Sequence, residues 1–447
     1  MKKNYLLGMA LMASLSFNSC DKEVVYVQDG TGVESVADGA QIITLQVENG
    51  GDGLATRAGR PLYSAEAKQT IENVKLWICD GAGNVIKYVK EISDWNTDDV
   101  STVYTTGGHG RQTTIELKDA DKLAAGTYKI YAVGYSNSSA YTLTDVTNVA
   151  KESTFNENMV LPCSTVGEEI FAGQMELTVE KGKGFKKPVV LNRQVAGAFA
   201  YVKDIPFMEG AKYLKLVASA QNQSLVLGNF NSFDLTGNGS GNANVKYVVN
   251  GTNGKSGSET YVISTIDLNK WFTAIKDDNG DNLIDAGENW KNPCRPSSSP
   301  VAGTYPTFQK GSAFGGEFVI PFAHVDGKQT LTLQLTNAGG KVLRSWKVNL
   351  GSTDEQLKQT ITCWNSGSTD WSTSLSGELA NTYSLVRNHL YGIGTRMNDE
   401  ANPEKPGVDP DPNPENPNDK PESLNNKQEL VLKVNDNWEV IHGMELD

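Results

Sequence analysis

Short runs in which apolar residues recur at every second position are the feature that most constrains the fold of this 447-residue chain. The clearest runs are Val74, Leu76 and Ile78; Tyr128, Ile130 and Ala132; Leu331, Leu333 and Leu335; and Trp346, Val348 and Leu350. A period of two places alternate side chains on one face of a half-buried strand. The 44 glycines favour turns between such strands, and no long stretch has helical periodicity. We therefore predict an all-β protein.

The length of the chain bears on how many domains these strands build. A chain of 447 residues is too long for one hydrophobic core and suggests two domains. Consecutive antiparallel strands usually stack as a sandwich. We expect two tandem antiparallel sandwiches, over residues 58–187 and 188–400, with the joint near the basic cluster Lys181–Lys187 acting as a solvated linker.

The amino terminus has the features of an export signal. Lys2 and Lys3 precede an apolar run from Leu6 to Phe17 that ends at Ser19 and Cys20. The run is too short to span a bilayer, and a small residue before cysteine is typical of lipoprotein processing. We expect diacylglycerol and palmitate on Cys20, anchoring the precursor to a membrane by about 0.8 kcal/mol per buried methylene. The alternative is a plain secretory signal with a free cysteine.

A short predicted strand follows, and a protease-accessible loop comes after it. The apolar residues of this strand are Ile43, Leu45 and Val47. Glycines at 50, 51 and 53 precede a candidate cleavage site between Arg57 and Ala58. Proteases cut exposed, glycine-rich loops most readily. Cleavage there would release the strand together with the lipid anchor. The alternative is that Arg57 is an ordinary loop residue and residues 40–49 form a permanent edge strand.

The carboxyl terminus carries another predicted strand, behind a proline-rich spacer at residues 401–427. Its apolar residues are Leu430, Leu432 and Val434, followed by Trp438 and Val440. A strand on a tether can add to the sheet edge of another molecule, as in donor-strand assembly. The spacer could reach roughly 80 Å at about 3.1 Å per residue. Trp438 would be the largest anchor of such a strand, because aromatic side chains bury the most area.

Several segments together resemble the fimbrillins, the subunits of type V pili, and most closely a major stalk subunit. These segments are the lipoprotein start at Cys20, the site at Thr56–Gly59, Ile71–Tyr88, Val189–Ala196, Val386–Tyr391 and Leu430–Leu446. Their order along the chain carries the resemblance. Two features depart from the family pattern. One is the lipoprotein cleavage motif before Cys20, where Phe17 and Asn18 stand in place of the usual leucine and small residue. The other is the long proline-rich spacer.

The resemblance implies a mechanism of assembly. An arginine-specific protease would cut after Arg57, and the carboxy-terminal strand of another copy would replace the strand removed. The resemblance also implies transthyretin-like, Greek-key sandwiches with exchangeable terminal strands, and partners that include anchor and tip subunits. The precursor would reside in the outer membrane and the product in a surface fimbrium that supports adhesion and biofilm formation. The implied segments are a signal peptide (1–20), a propeptide (21–57), two domains, the spacer and a donor strand (428–447).

One acidic stretch matches a calcium-binding loop. The oxygen ligands at positions one, three, five, seven, nine and twelve would be Asp277, Asn279, Asp281, the Leu283 carbonyl, Asp285 and Glu288. Asn282 stands where glycine usually makes the turn, and asparagine tolerates that left-handed conformation. Ile284 would turn the loop back to the protein. We expect a structural Ca²⁺ here, with a solvated acidic turn as the alternative.

Charge and histidine content argue against other classes of function. A formal charge of −13 disfavours nucleic acid as a partner, because phosphate binding needs clustered Lys and Arg. None of the four histidines lies in a zinc-binding spacing or beside a nucleophile motif. We therefore expect no enzymatic activity.

Four cysteines besides Cys20 would reside in an oxidising compartment, where disulfides persist. They permit three pairings, of which the simplest joins Cys79 to Cys163 and Cys294 to Cys363. The alternation around Cys79 favours a different interpretation, in which this residue is a small core residue.

Two other functions remain open from the sequence. One is a monomeric surface lipoprotein that binds glycans through a calcium-organised loop, with its carboxy-terminal strand folded back on itself. The other is a tip adhesin of the same kind of pilus, which would not need a donor strand.

Overall fold

The computed structural model describes most of the chain between Tyr26 and Val434. The described residues are 26–28, 34–36, 39–48, 70–104, 110–165, 167–228, 247–287, 289–293, 308–323, 330–350, 361–374, 384–396, 419–425 and 429–434. No helix among them is long and apolar enough to span a membrane.

Eleven strands of the described chain precede residue 194. They are β1 Tyr26–Gln28, β2 Glu34–Val36, β3 Gln41–Glu48, β4 Asn73–Asp80, β5 Ile86–Ile92, β6 Thr102–Tyr104, β7 Gly110–Leu117, β8 Gly126–Tyr135, β9 Val160–Pro162, β10 Phe171–Val179 and β11 Phe185–Arg193. A short 3₁₀ helix at Asp119–Asp121 and a one-turn helix, α1, at Thr144–Thr147 lie in the connections. The principal sheet has the order β5-β4-β8-β10-β11-β3-β7-β6.

This sheet folds over on itself to make the first sandwich. Within the described residues, β10 and β11 pair at Phe171–Arg193 and Ala172–Asn192 only. Gly173 follows at once, and a Cβ there would lie 2.0 Å from the carbonyl oxygen of Val190, so that only glycine allows the close crossing. The two halves, β5-β4-β8-β10 and β11-β3-β7-β6, enclose a common core that includes Leu76 and Val189.

Eighteen described strands follow. They are β12 Ala196–Lys203, β13 Ala211–Gln221, β14 Ser224–Val226, β15 Tyr247–Val249, β16 Gly251–Thr252, β17 Lys255–Asp267, β18 Ala313–Val319, β19 Phe322–Ala323, β20 Leu331–Asn337, β21 Val342–Leu350, β22 Ile361–Asn365, β23 Asp370–Ser374, β24 Ser384–Leu385, β25 Leu390–Ile393, β26 Thr395–Arg396, β27 Asp419–Lys420, β28 Glu422–Ser423 and β29 Glu429–Val434. A one-turn helix, α2, spans Leu268–Trp271.

The second sandwich is built on the sheet β17-β13-β20-β21-β29-β25-β12-β18. Its core is rich in aromatic side chains: Phe199 stacks on Phe314 at 5.3 Å between ring centroids, and Trp271 meets Phe308 edge-on at 4.9 Å. A turn at residues 338–341 connects β20 to β21. The prediction of an all-β, sandwich-type protein is thereby confirmed.

The chain passes from the first sandwich to the second at Gln194 and Val195, between β11 and β12. The basic cluster Lys181–Lys187, expected to be the joint, instead leads into β11, where Lys186 and Lys187 pair with β3. The two lysines fit within a strand because each is only half-buried, and Lys187 Nζ donates to the carbonyl of Glu176.

The cysteines of the described chain carry free thiols. Cys79 is a fully buried core residue, as expected, but it lies with Trp77 in a cluster on the side of β4 opposite Val74, Leu76 and Ile78, because both faces of this strand are buried. The pairing of Cys79 with Cys163 is wrong, because both thiols are free, and Cys363 is free as well. Cys294 lies outside the described residues.

Candidate functional site

Strand β3 is an interior strand of the principal sheet of the first sandwich. It pairs in parallel with Phe185–Leu191 of β11 on one side and antiparallel with Gly110–Leu117 of β7 on the other. Its apolar residues Ile43, Leu45 and Val47 are all fully buried in the core. β3 is therefore not an edge strand, because it has a hydrogen-bonded neighbour on each side along nearly all of its length, and its removal after cleavage stays a prediction. We call the space between β11 and β7 the acceptor groove.

Polar side chains define both faces of β3 in the acceptor groove. Gln41 is buried and bridges the backbone of Leu123: its Oε1 accepts from the Leu123 amide at 2.7 Å and its Nε2 donates to the Leu123 carbonyl at 2.9 Å. Gln46 Nε2 donates to Gln112 Oε1 on β7 at 3.0 Å. The Thr44 side chain is 9% exposed, and its hydroxyl is buried without a hydrogen-bond partner in the described structure. A strand that fills the groove therefore needs particular polar residues at particular positions, in addition to apolar residues facing the core.

The candidate cleavage site lies in the connection that follows β3. Residues 49–69, which contain Arg57 and Ala58, join β3 to the body of the sandwich, and these residues are outside the described chain. Cys20 is outside it as well. A cut after Arg57 would leave β3 attached to the body by non-covalent contacts alone.

Strand β29, predicted as the donor strand, occupies an interior position in the second sandwich. It pairs in parallel with β21 through Glu429–Leu432 and antiparallel with β25 through Lys433 and Val434. Leu430 and Leu432 are 2% and 0% exposed and belong to the aromatic core. Trp438 and Val440 lie outside the described residues.

The environments of β3 and β29 have the same geometry. Each strand lies between a parallel neighbour and an antiparallel neighbour, and each turns aliphatic side chains at every second position into the core of its own sandwich. They differ in extent, since β29 pairs with each neighbour over a part of its length and β3 pairs with both over nearly all of it. The outer face of β29 carries a weak ion pair, Lys347 to Glu429 at 3.4 Å, with both side chains exposed.

The segment before β29 is fixed to the second sandwich. Arg396 and Asp419 form an ion pair at 2.9 Å and are each about 5% exposed, and they pair β26 with β27. Gln309 Nε2 donates to the Asp419 carbonyl, and the buried Leu424 donates its amide to the carbonyl of Lys203. The expected spacer, 401–427, is therefore corrected: its last part, residues 419–425, packs on the sandwich because a buried ion pair and Leu424 hold it there.

Two of the segments that resemble fimbrillins meet at the junction of the sandwiches. Arg387 Nη1 donates to Gln194 Oε1 at 3.0 Å, and the Asn388 amide donates to the Val195 carbonyl at 2.9 Å. Burial lowers the pKa of Arg387 to about 9. The buried His389 donates from Nδ1 to the Arg387 carbonyl at 2.8 Å, which fixes the ring in place. These polar residues connect the two sandwiches and provide no evident catalytic group.

The candidate calcium loop is exposed and organised by its own carboxylates. Asp277 accepts from the amides of Gly280 (2.7 Å) and Asn282 (2.9 Å), and Asp281 accepts from the Leu283 amide at 2.8 Å. Asn282 has the expected left-handed conformation, with φ of 63°. Among the described residues, which exclude Glu288, no group of three or more His, Cys, Asp or Glu residues is arranged to hold a metal ion.

Ile284 attaches the loop to the second sandwich, as the sequence predicts. Ile284 is 5% exposed, and its amide donates to the Ile205 carbonyl at 2.7 Å. Asn279 Nδ2 donates to Asp281 Oδ2, and Asp285 Oδ1 accepts from the Gly287 amide. The residues fit a hard cation in the type of their oxygen donors. Calcium binding stays a prediction.

Sequence reasoning missed the polar groups that shape the acceptor groove and hold the tail. Gln41 stands two positions before Ile43, so the same period of two that identified the strand also places its side chain inward. The Arg396–Asp419 pair had no local signal, because 22 residues separate its members and nothing in the intervening proline-rich stretch indicates that its ends meet.

No protein-family model and no curated protein matches this chain. Solved structures that resemble it include the fimbrial anchor protein Mfa2 from Porphyromonas gingivalis, 10% identical, covering 78% of this chain and 99% of that one, with a TM-score of 0.32. A fimbrial assembly protein from Parabacteroides distasonis is 12% identical, with coverages of 79% and 90% and a TM-score of 0.34. The tip fimbrial protein Mfa3 from Porphyromonas gingivalis, with a C-terminal truncation, is 10% identical, with coverages of 79% and 93% and a TM-score of 0.36. These structural neighbours are fimbrial proteins, the kind of protein that the sequence resembles, but at such identities and TM-scores the likeness by itself assigns the chain neither a fold nor a function.

Proposed function

We propose that this chain is a structural subunit of a surface fimbria, a pilus stalk, that polymerises by protease-triggered donor-strand exchange. A lipidated precursor reaches the outer membrane, an arginine-specific protease cuts after Arg57, and β3 leaves the acceptor groove. The carboxy-terminal strand of another copy then fills that groove. Repetition of this step makes a homopolymer that supports adhesion, with anchor and tip subunits at its ends.

The observation that carries the proposal is the interior position of β3. An edge strand could be removed at little cost, and its loss would leave nothing that needs filling. Loss of β3 exposes the backbone donors and acceptors of β11 and β7 together with the apolar core beneath them. Unpaired backbone groups and exposed aliphatic side chains are both unfavourable, so an emptied groove binds a replacement strand strongly.

The extent of strand pairing differs between the acceptor groove and the position of β29 in its own sandwich. A strand in the acceptor groove pairs with β11 and β7 along its length, whereas β29 pairs with β21 and β25 over part of its length. Each of Ile43, Leu45 and Val47 is fully buried and contributes about 2 kcal/mol. A donor with three aliphatic residues at the same spacing recovers that burial. Moving β29 from its own sandwich to an empty groove therefore extends its pairing.

Three forms of the chain beginning at residue 21 test the proposal. The first is the natural sequence, treated with an arginine-specific protease; the second carries Arg57→Ala and is treated in the same way; the third ends at Asn426 and is cut normally. Light scattering and electron microscopy follow each form. We expect ordered fibres from the first form and monomers from the other two.

The outcomes separate the parts of the mechanism. Fibres from an Arg57→Ala form that mass spectrometry shows to be uncut, at Arg60 as well, would show that cleavage is not the trigger. Fibres from the form ending at Asn426 would show that the carboxy-terminal strand is not the donor. Monomers in all three, with mass spectrometry confirming the cut and circular dichroism confirming the fold, would overturn the polymer proposal.

A second candidate is the monomeric surface lipoprotein that binds glycans. The observation that favours it is the position of β29, which is already folded back into its own sandwich, as a chain without exchange would require. This candidate predicts that the cut chain stays monomeric and binds a sugar in a manner abolished by a chelator. A glycan array probed with the cut chain, with and without EDTA, distinguishes it from the stalk subunit.

A further inference from the structure

We infer that the carboxy-terminal segment enters the acceptor groove of another copy in one register, in which Gln428 takes the place of Gln41. This inference rests on the proposed strand exchange and specifies its geometry. In the sequence, Gln41-Ile42-Ile43-Thr44-Leu45-Gln46-Val47 and Gln428-Glu429-Leu430-Val431-Leu432-Lys433-Val434 share the pattern Gln, any, Ile or Leu, any, Leu, any, Val. The shared positions are those whose side chains face inward in β3. The pattern therefore matches the contacts that β3 makes, and strand propensity alone does not explain it.

The glutamine is the informative member of the pattern. Gln41 is buried at 4% exposure, where its amide group satisfies both the N–H and the C=O of Leu123. An aliphatic residue at this position would leave both of those backbone groups without partners, which is unfavourable in a buried site. Gln428 stands two positions before Leu430, as Gln41 stands two before Ile43. It is the residue that can restore both hydrogen bonds.

One outward-facing position, that of Thr44, agrees with the same register. Val431 would replace Thr44, which is 9% exposed and whose hydroxyl is buried without a hydrogen-bond partner in the described structure. Valine has the shape of threonine without the hydroxyl, so it fits the site and removes the unsatisfied group. In its own sandwich Val431 is 42% exposed, one of the exposed large apolar side chains of the described chain. Transfer to the groove therefore buries Val431. It also replaces the unsatisfied Thr44 hydroxyl at that site with a methyl group.

Other registers place the wrong chemistry in the core. A shift of one residue turns Glu429 inward and buries its charge. A shift of two in one direction puts the Gln428 amide at the position of Ile43, among aliphatic side chains. A shift of two in the other direction puts Leu430 against the Leu123 backbone and Asp436 at the position of Val47. In the chosen register, Trp438 and Val440 pass beyond the last paired residue of β3, so these side chains contact something other than the β3 site.

Cysteine cross-linking reads the register directly. Thr114 of β7 is exposed and lies opposite Thr44, so in the fibre it should lie opposite Val431 of the incoming strand. Residues directly opposite in an antiparallel pair lie within the distance that a disulfide spans. The test uses three double variants, Thr114→Cys combined with Glu429→Cys, Val431→Cys or Lys433→Cys. Each is cut after Arg57, allowed to polymerise, oxidised and run on a non-reducing gel, with the uncut form as the control.

We expect a ladder of covalent oligomers from the Val431→Cys variant and none above the control from the other two. A ladder from Glu429→Cys or Lys433→Cys instead would show a register shifted by two residues and would overturn the inference while leaving strand exchange intact. Fibres without any cross-link would show that the segment does not lie beside β7. Absence of fibres from the unsubstituted cut chain would instead refute the proposed function.

A pair of glutamine variants tests the role assigned to Gln428. Gln428→Ala should lower the urea concentration at which fibres dissociate, because the Leu123 backbone groups lose their partner. Gln41→Ala should leave the fibres unchanged, because Gln41 departs with the cleaved strand, but it should lower the unfolding midpoint of the precursor. Equal dissociation of Gln428→Ala and unsubstituted fibres would overturn the role of Gln428.

Discussion

At the scale of single residues, a buried ion pair between Arg193 and Glu169 connects separate segments of the first sandwich. Arg193 and Glu169 are fully buried and joined at 2.8 Å from Nε to Oε1. Glu169 also accepts from the amide and the hydroxyl of Thr70, each at 2.7 Å. Burial lowers the pKa of Arg193, and the carboxylate of Glu169 opposes that shift. The pair thereby secures the start of the body, at Thr70, to the end of β11.

We expect Glu169→Gln to destabilise the protein by about 3 kcal/mol, since it leaves a buried guanidinium without its counter-charge. The matched control is Glu180→Gln, whose partner Lys183 forms an exposed ion pair with it. That change should alter the free energy of unfolding by about 0.5 kcal/mol or less. Urea unfolding followed by tryptophan fluorescence measures both, and equal effects would contradict the assigned role of the buried pair.

Cys79 provides a second residue-level prediction. Its thiol is buried, and burial raises its pKa to about 12. Because the thiolate is the reactive species, Cys79 should resist alkylation at pH 8 until the protein unfolds. The partly exposed Cys163 should label sooner. Peptide mass spectrometry after timed labelling checks this, and rapid native labelling of Cys79 would contradict it.

At the scale of elements, the ends of the proline-rich segment determine how β29 can move. β26 and β27 pair Thr395 with Lys420 and Arg396 with Asp419, so the segment between them begins and ends at one place on the sandwich. If residues 419–425 stay packed during the proposed exchange, residues 426–428 are the tether of the released β29, and the long reach estimated from the sequence is not used.

Replacement of residues 400–415 by two glycines should therefore leave fibre formation by the cut chain within about twofold of the natural rate. Both ends of the shortened segment remain paired, and loop shortening of this kind costs little. Light scattering compares the two chains. A chain that folds but no longer polymerises would show that the proline-rich segment supplies reach after all.

At the scale of the whole molecule, the candidate calcium loop contacts the segment at Ile205 and Pro206, about 80 residues earlier in the chain. Leu283 pairs with Pro206, and Ile284 contacts the core through its buried side chain. If Ca²⁺ binds the native state, free Ca²⁺ at 100 times Kd should stabilise that state by about 2.7 kcal/mol. Thermal unfolding with CaCl₂ and with EDTA measures the effect. Asp277→Asn with Asp281→Asn should abolish it, and a melting curve insensitive to Ca²⁺ would refute calcium binding.

Local pattern predicted much of this architecture. The period of two identified β4, β8, β20 and β21, and it also identified both terminal strands, because the alternation of a half-buried strand is written in consecutive residues. The match to a calcium-binding loop placed Ile284 against the sandwich, and Cys79 is a core residue as expected, on the face of β4 opposite Val74, Leu76 and Ile78. The joint at Lys181–Lys187 was misplaced because lysines with buried stems occur within strands as well as in linkers.

What the sequence by itself determined is therefore the location of six alternating strands, β3, β4, β8, β20, β21 and β29, and the pattern shared by the segments at Gln41 and Gln428. Only the tertiary structure decided that β3 and β29 are interior strands and which neighbours they have. The physical reason is that strand pairing joins residues far apart in the chain: β3 pairs with β11 about 140 residues later, and β29 with β21 about 80 residues earlier. Such pairs leave no local signal, and they depend on how two apolar faces close over a common core.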